Sequence, residues 1–125
     1  MRHDDLSFGE FIRQKRKERK MVGRELAAEA GITTEYLCEI ENGKKVAVSE
    51  GIMEKMIQAL GLTEKETALF YDLAAVARKT VSVSADLPEY IMAHELVRTA
   101  LRTAKKHQIP DEKWEKFIQE MVREW

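Results

Sequence analysis

Residues 23–45 read GRELAAEAGITTEYLCEIENGKK, and this stretch decides the fold. Leu26, Ala27 and Ala30 recur at helical spacing, so residues 23–30 predict a short helix with one buried face. Gly31 stops it, because glycine accepts the left-handed conformation at a helix end without steric cost. Thr33 is placed to cap a second short helix over about 34–42, with Leu37 and Ile40 inward and Gly43 terminating it. Two helices of this length joined by Gly31-Ile32-Thr33 have the turn chemistry of a helix–turn–helix unit.

Outward from this pair the pattern stays helical. On the N-terminal side, Ser7 and Glu10 have capping-box spacing, with Leu6 and Phe11 as a hydrophobic staple. They predict a helix over about 8–20 that buries Phe8, Phe11 and Ile12. On the C-terminal side, Ser49 caps a fourth helix with Ile52, Met53, Met56, Ile57 and Leu60 on one stripe and Gly61 after it. Thr63 and Glu66 form a second capping box for a fifth, which carries Leu69, Phe70, Leu73, Ala74 and Ala77.

The pattern then breaks. Residues 80–85 alternate polar and apolar and predict an extended linker or a short strand. Asp86, Pro88 and Glu89 open a sixth helix to about 106. A seventh follows Pro110, with Trp114, Phe117, Ile118, Met121, Val122 and Trp125 along one face. The expected organisation is a domain over 6–78, a linker over 79–87 and a helical extension over 88–125. Two short amphipathic helices bury too little surface to stand alone, so their stripes are expected to cover each other and to dock on the domain or on a second chain.

Composition bounds the function classes. The 125 residues carry 21 Lys+Arg against 22 Asp+Glu, a net charge of −1, which argues at first sight against a basic nucleic-acid binder. The charges are not evenly spread, however. Residues 13–24 hold Arg13, Lys15, Arg16, Lys17, Arg19, Lys20 and Arg24 against Glu18 alone, a local +6 leading into the helix pair. The lone Cys38 cannot form an intrachain disulfide and reads as a semi-buried small residue, which fits a cytoplasmic protein. There is neither a signal-peptide-like start nor an apolar run of roughly 18 residues, so no membrane role is expected. His94-Glu95 would need a second histidine where Arg98 stands, and His3, His94 and His107 share no ligand spacing. No nucleophile elbow or phosphate-cradling loop occurs. The expectation is a non-enzymatic protein with no catalytic residue, metal or cofactor.

The spaced elements Glu25-Leu26-Ala27, Ala30-Gly31-Ile32-Thr33, Tyr36-Leu37 and Ile40-Glu41-Asn42-Gly43-Lys44, continued by Ser49–Gly61, resemble the phage Cro/repressor-like helix–turn–helix (XRE) family over residues 8–78. The tail is similar to C-terminal extensions of bacterial cytoplasmic regulators of that kind. The resemblance implies an all-α fold, a five-helix lambda-repressor-like DNA-binding domain with a two-helix C-terminal extension. It also implies a sequence-specific transcriptional regulator, a repressor binding a two-fold-symmetric operator on double-stranded DNA as a homodimer, with a protein partner for regulation. Thr34, Glu35 and Glu39 match the family's base-reading positions, and Arg16 and Glu41 its structural salt bridge. Thr33 caps the reading helix. Gly23 and Arg24, at a positive helix end, together with Lys20, Lys44 and Lys45, are placed to hold phosphates. Two departures stand out. Glu35 and Glu39 set carboxylates at the reading face, and Val22-Gly23 replaces the usual Ser/Thr cap and following Gln. The alternative function is a protein-interaction adaptor or antitoxin on the same fold, with DNA binding weak or secondary.

Overall fold

In the first helix, α1 (Phe8–Glu18), both halves of the expected capping box form: the Glu10 N–H donates to Ser7 Oγ, and the Ser7 N–H donates to Glu10 Oε1, each at 3.2 Å. The computed structural model describes residues 6–78 and 80–124, all of whose regular elements are α-helices. His3 and Trp125 lie outside the described residues. α1 ends earlier than the periodicity suggests because Lys20 turns left-handed (φ 56°), letting the Met21 N–H reach back to the Arg16 carbonyl at 3.0 Å.

The decisive pair follows as α2 (Gly23–Ala30) and α3 (Thr34–Glu41), with Gly31 at φ 72° between them. Thr33 Oγ1 accepts the Tyr36 N–H at 3.0 Å, as its capping position predicts. Leu26, Ala27, Ala30, Leu37 and Ile40 are all buried. Next come α4 (Glu50–Leu60), capped by Ser49 and ended by Gly61, and α5 (Glu64–Ala77), opened by the Thr63–Glu66 box. α2 packs on α4 and α3, while α1 packs on α3 and α5. The core joins Met53, Met56 and Leu60 to Phe8, Phe11 and Phe70, with the Phe8 and Phe70 rings edge-on at 5.0 Å. Of the fifth-helix stripe, Phe70 and Ala74 are fully buried and Leu69, Leu73 and Ala77 partly so.

Residues 80–87 form no strand among the described positions and belong to the first of two compact units, which runs to Leu87. Ser84 is buried and donates to Asp72 on α5, Ser82 donates to the Ala75 carbonyl at 3.3 Å, and Ala85 packs against the core.

The second unit, from Pro88, contains three helices where the sequence suggests two: α6 (Pro88–Ala93), α7 (Glu95–His107) and α8 (Asp111–Glu124). The expected sixth helix is broken at His94, whose backbone is extended (φ −127°, ψ 102°). Arg98 Nη1 takes the carbonyls of Ile91 and Met92 (3.1 and 2.6 Å), and the His94 ring stacks on Tyr90. These contacts satisfy the end of α6 and make the break possible. Within this unit the apolar stripes do not cover each other as expected. α7 packs on α6 rather than along α8, and no residue of the three helices is buried.

Candidate nucleic-acid interface

α2 starts without a side-chain cap, because Val22 has no acceptor to offer. Only the Glu25 half of a capping box forms, its Oε1 accepting the Val22 N–H at 3.2 Å. The N–H groups of Gly23 and Arg24 find no acceptor among the described residues, so they remain available to an anion at the positive end of the helix. A Cβ at Gly23 would only touch Leu37 at 3.8 Å, so packing does not demand glycine there. Arg24 is exposed and makes no ion pair among the described residues.

On α3, Leu37 and Ile40 point inward and thereby turn Thr34 and Glu35 outward in the first turn. Neither side chain is bonded within the described residues, which leaves an acceptor and a hydroxyl free on the outer face. Thr33 is exposed, but its hydroxyl is committed to the cap. Glu39, one turn on, is half-buried, and its carbonyl accepts the N–H groups of Lys44 (2.8 Å) and Lys45 (3.2 Å). Gly43 at φ 80° makes that reversal possible, and both lysine side chains leave the end of α3 exposed. Lys20 is likewise exposed on its left-handed turn. Cys38, expected to be semi-buried, is instead exposed, because it falls on the outer face beside Glu39.

Behind this surface α3 is held by α1. Glu41, 6% exposed at its side chain, accepts from Arg16 Nε at 2.9 Å and Arg16 Nη2 at 3.0 Å. The bidentate bond stabilises the guanidinium and raises its pKa further above the ordinary arginine value. Arg16 Nη1 also reaches the Met21 carbonyl at 3.0 Å. Arg13 adds a longer contact to Glu41 at 3.3 Å and donates to Asn42 Oδ1 at 2.6 Å. Arg13 sits one turn before Arg16 on the same face of α1, so its part was available from helical spacing. Gly9 completes the joint: a Cβ there would lie 2.5 Å from the Glu41 carbonyl oxygen, against backbone that cannot yield.

The basic run therefore faces inward more than its count suggests. Lys15, only 2% exposed, pairs with Glu66 at 2.7 Å and Glu18 at 3.3 Å. Arg19 reaches the same two carboxylates at 3.3 and 3.8 Å. With Arg13 and Arg16 on Glu41, four of the seven cations are taken up by internal pairs. Lys17, Lys20 and Arg24 are left unpaired among the described residues. The Lys15 ammonium, with the Thr63 N–H, holds the Glu66 carboxyl down at about 2. No group of three or more His, Cys, Asp or Glu side chains among the described residues is arranged to hold a metal ion. Among the described residues no helix is long and apolar enough to cross a membrane.

Five helices, a glycine turn and an exposed, internally braced second helix define a helix–turn–helix protein. Residues 7–70 match the helix–turn–helix domain family, and the chain belongs to it, as an XRE-like DNA-binding transcriptional regulator. It is similar to the HTH-type transcriptional repressor RghR of Bacillus subtilis (strain 168), with 31% identity over 114 residues covering 87% of this chain and 78% of the relative. No solved structure matches it.

Proposed function

We propose that the chain is a repressor that binds a two-fold-symmetric operator as a homodimer, with residues 88–125 joining the copies. The observation that carries this reading is the outward first turn of α3. Its Thr34 and Glu35 are exposed and unbonded among the described residues, as are the side chains of Lys44 and Lys45 just beyond the helix, and the start of α2 carries no side-chain cap. Thr34, Glu35 and Glu39 read base edges, and a glutamate there accepts a hydrogen bond from cytosine N4. Gly23, Arg24, Lys20, Lys44 and Lys45 hold phosphates, and Thr33 fixes the start of the reading helix. The related repressor supports the direction of regulation.

Selection of bound duplexes from a random pool tests the reading. The expected result is a two-fold consensus with half-sites about 34 Å apart along one face of the duplex. Four phosphate-facing cations per copy set the logarithmic salt slope near −7 for the dimer. Absence of nanomolar-range binding to any selected duplex at low salt would overturn the proposal. The internal pairing of four cations and the exposed Glu35 favour the second reading, an adaptor or antitoxin whose α3 captures a basic protein. Glu35→Gln with Glu39→Gln separates the two: base preference changes under the first, whereas capture of the partner is lost under the second.

A further inference from the structure

The second unit leaves two helix faces open. Leu101 on α7 is 43% exposed, and Phe117, Ile118 and Met121 on α8 are between 43% and 54% exposed. These side chains lie on the core-type stripe of amphipathic helices, where a folded chain ordinarily hides them. α7 packs on α6 and is not packed along α8. Gln108 is left-handed (φ 49°), the Ile109 N–H is tied back to the Ala104 carbonyl at 3.0 Å, and Pro110 follows.

The two helices carry opposite charge. α7 holds Arg98, Arg102, Lys105 and Lys106 against Glu95, a net +3. α8 holds five carboxylates against Lys113, Lys116 and Arg123, a net −2. Their surfaces also differ in bulk, with Ala100 and Ala104 on the α7 stripe and Trp114 and Phe117 on that of α8. Two copies of α7 side by side would juxtapose like charges, and so would two copies of α8. Only α7 against α8 matches charge with countercharge and small residues with large ones. With Leu96 on α7 and Val122 on α8, also exposed, the six stripe side chains at roughly 100 Å² each give about 600 Å² per chain. The resulting total, roughly 1,200 Å², is the lower end of a stable interface.

We infer that two copies of this chain associate through their second units, with α7 of one copy laid on α8 of the other in a four-helix arrangement about a two-fold axis. The inference rests on the homodimer proposed above and specifies how it is made. Each copy supplies one basic and one acidic helix, so the interface is self-complementary by symmetry.

Sedimentation velocity on the full chain tests it. Arg102→Glu with Lys105→Glu turns α7 acidic, and Glu120→Lys with Glu124→Lys turns α8 basic. Either pair alone raises the dimer dissociation constant at least about tenfold. The four substitutions combined in one chain return it to within about threefold of the parent. Far-UV circular dichroism at parental helicity shows that each variant is folded. A dimer indifferent to the α7 reversal overturns the cross-pairing and leaves the homodimer standing. A chain that stays monomeric at 100 μM, about a hundred times the dissociation constant of a micromolar dimer, overturns the pairing too. Selected duplexes then decide the functional reading separately: a two-fold consensus keeps it, and its absence removes it.

Discussion

Replacing Glu41 with alanine removes three charge-assisted hydrogen bonds, two from Arg16 and one from Arg13. Their weights are unequal. Arg13 is 37% exposed and its contact is 3.3 Å long, so water screens it and its share is below about 1 kcal/mol. Arg16 is 14% exposed and loses both of its bonds to the Glu41 carboxylate, keeping only the Met21 carbonyl. A guanidinium stranded in that position costs about 3–5 kcal/mol, a large part of the roughly 5–15 kcal/mol that holds a small domain. Arg16→Met costs less, about 2–3 kcal/mol, because Glu41 still has Arg13 as a counterion. Arg16→Met combined with Glu41→Leu recovers most of the loss, since no buried charge then lacks a partner. Urea unfolding followed by circular dichroism, with the denaturant slope unchanged, measures each step. A cost below about 1 kcal/mol for Glu41→Ala, or a double variant no better than Glu41→Ala, would refute the desolvation argument.

Gly9→Ala should lower stability by about 3 kcal/mol or more, because its Cβ would meet the Glu41 backbone at 2.5–2.8 Å and α1 would have to lift from α3. Gly51→Ala, in open space on α4, should instead stabilise by about 0.5–1 kcal/mol, and thermal unfolding of the pair shows whether helix propensity or close approach governs. Glu66, held at about 2 in the folded chain against an ordinary 4.5, favours folding fully above pH 4.5. That contribution is lost as pH falls from 4.5 towards 2, because the unfolded carboxyl takes its proton first. The shift corresponds to at most about 3 kcal/mol, and to nearer 1–2 kcal/mol once solvent screening of a side chain one-fifth exposed is counted. Glu66→Gln should flatten the stability profile across that window, and an unchanged profile would place the acid sensitivity elsewhere.

Much of the domain was legible because its signals are local. Ser7, Thr33, Ser49 and Thr63 each accept the backbone N–H that their capping positions require, and Gly31 and Gly61 take the left-handed angles that end helices. The outward turn of α3 followed from the inward register of Leu37 and Ile40. What escaped depends on distant partners. Lys15 is buried because Glu66, 51 positions later, reaches it, and nothing near Lys15 announces that. Gly9 answers to the backbone at the end of α3, which helical periodicity does not encode. Residues 88–106 carry an unbroken helical pattern, and the break at His94 is made by Arg98 folding back on carbonyls of α6.

The net charge of −1 acquires a different meaning once pairing is known. Lys and Arg counts overstate the grip on phosphates, because Arg13, Lys15, Arg16 and Arg19 are spent on holding α1 to α3 and α5. Non-specific binding is driven by phosphate contacts, so few free cations mean weak binding to arbitrary duplex. If Glu35 faces the duplex as proposed, it weakens such binding further, since a carboxylate gains only where a donor such as cytosine N4 meets it. On the proposed reading, affinity is exchanged for discrimination at the first turn of α3. Glu35→Gln should therefore act in opposite directions on two measurements. Binding to random-sequence duplex should strengthen a few-fold as repulsion is removed. Preference for C·G at the position Glu35 reads should fall by about 1–3 kcal/mol. Competition titrations at fixed salt report both quantities. Parallel weakening of specific and random duplex would instead mean that Glu35 supports the fold rather than the readout.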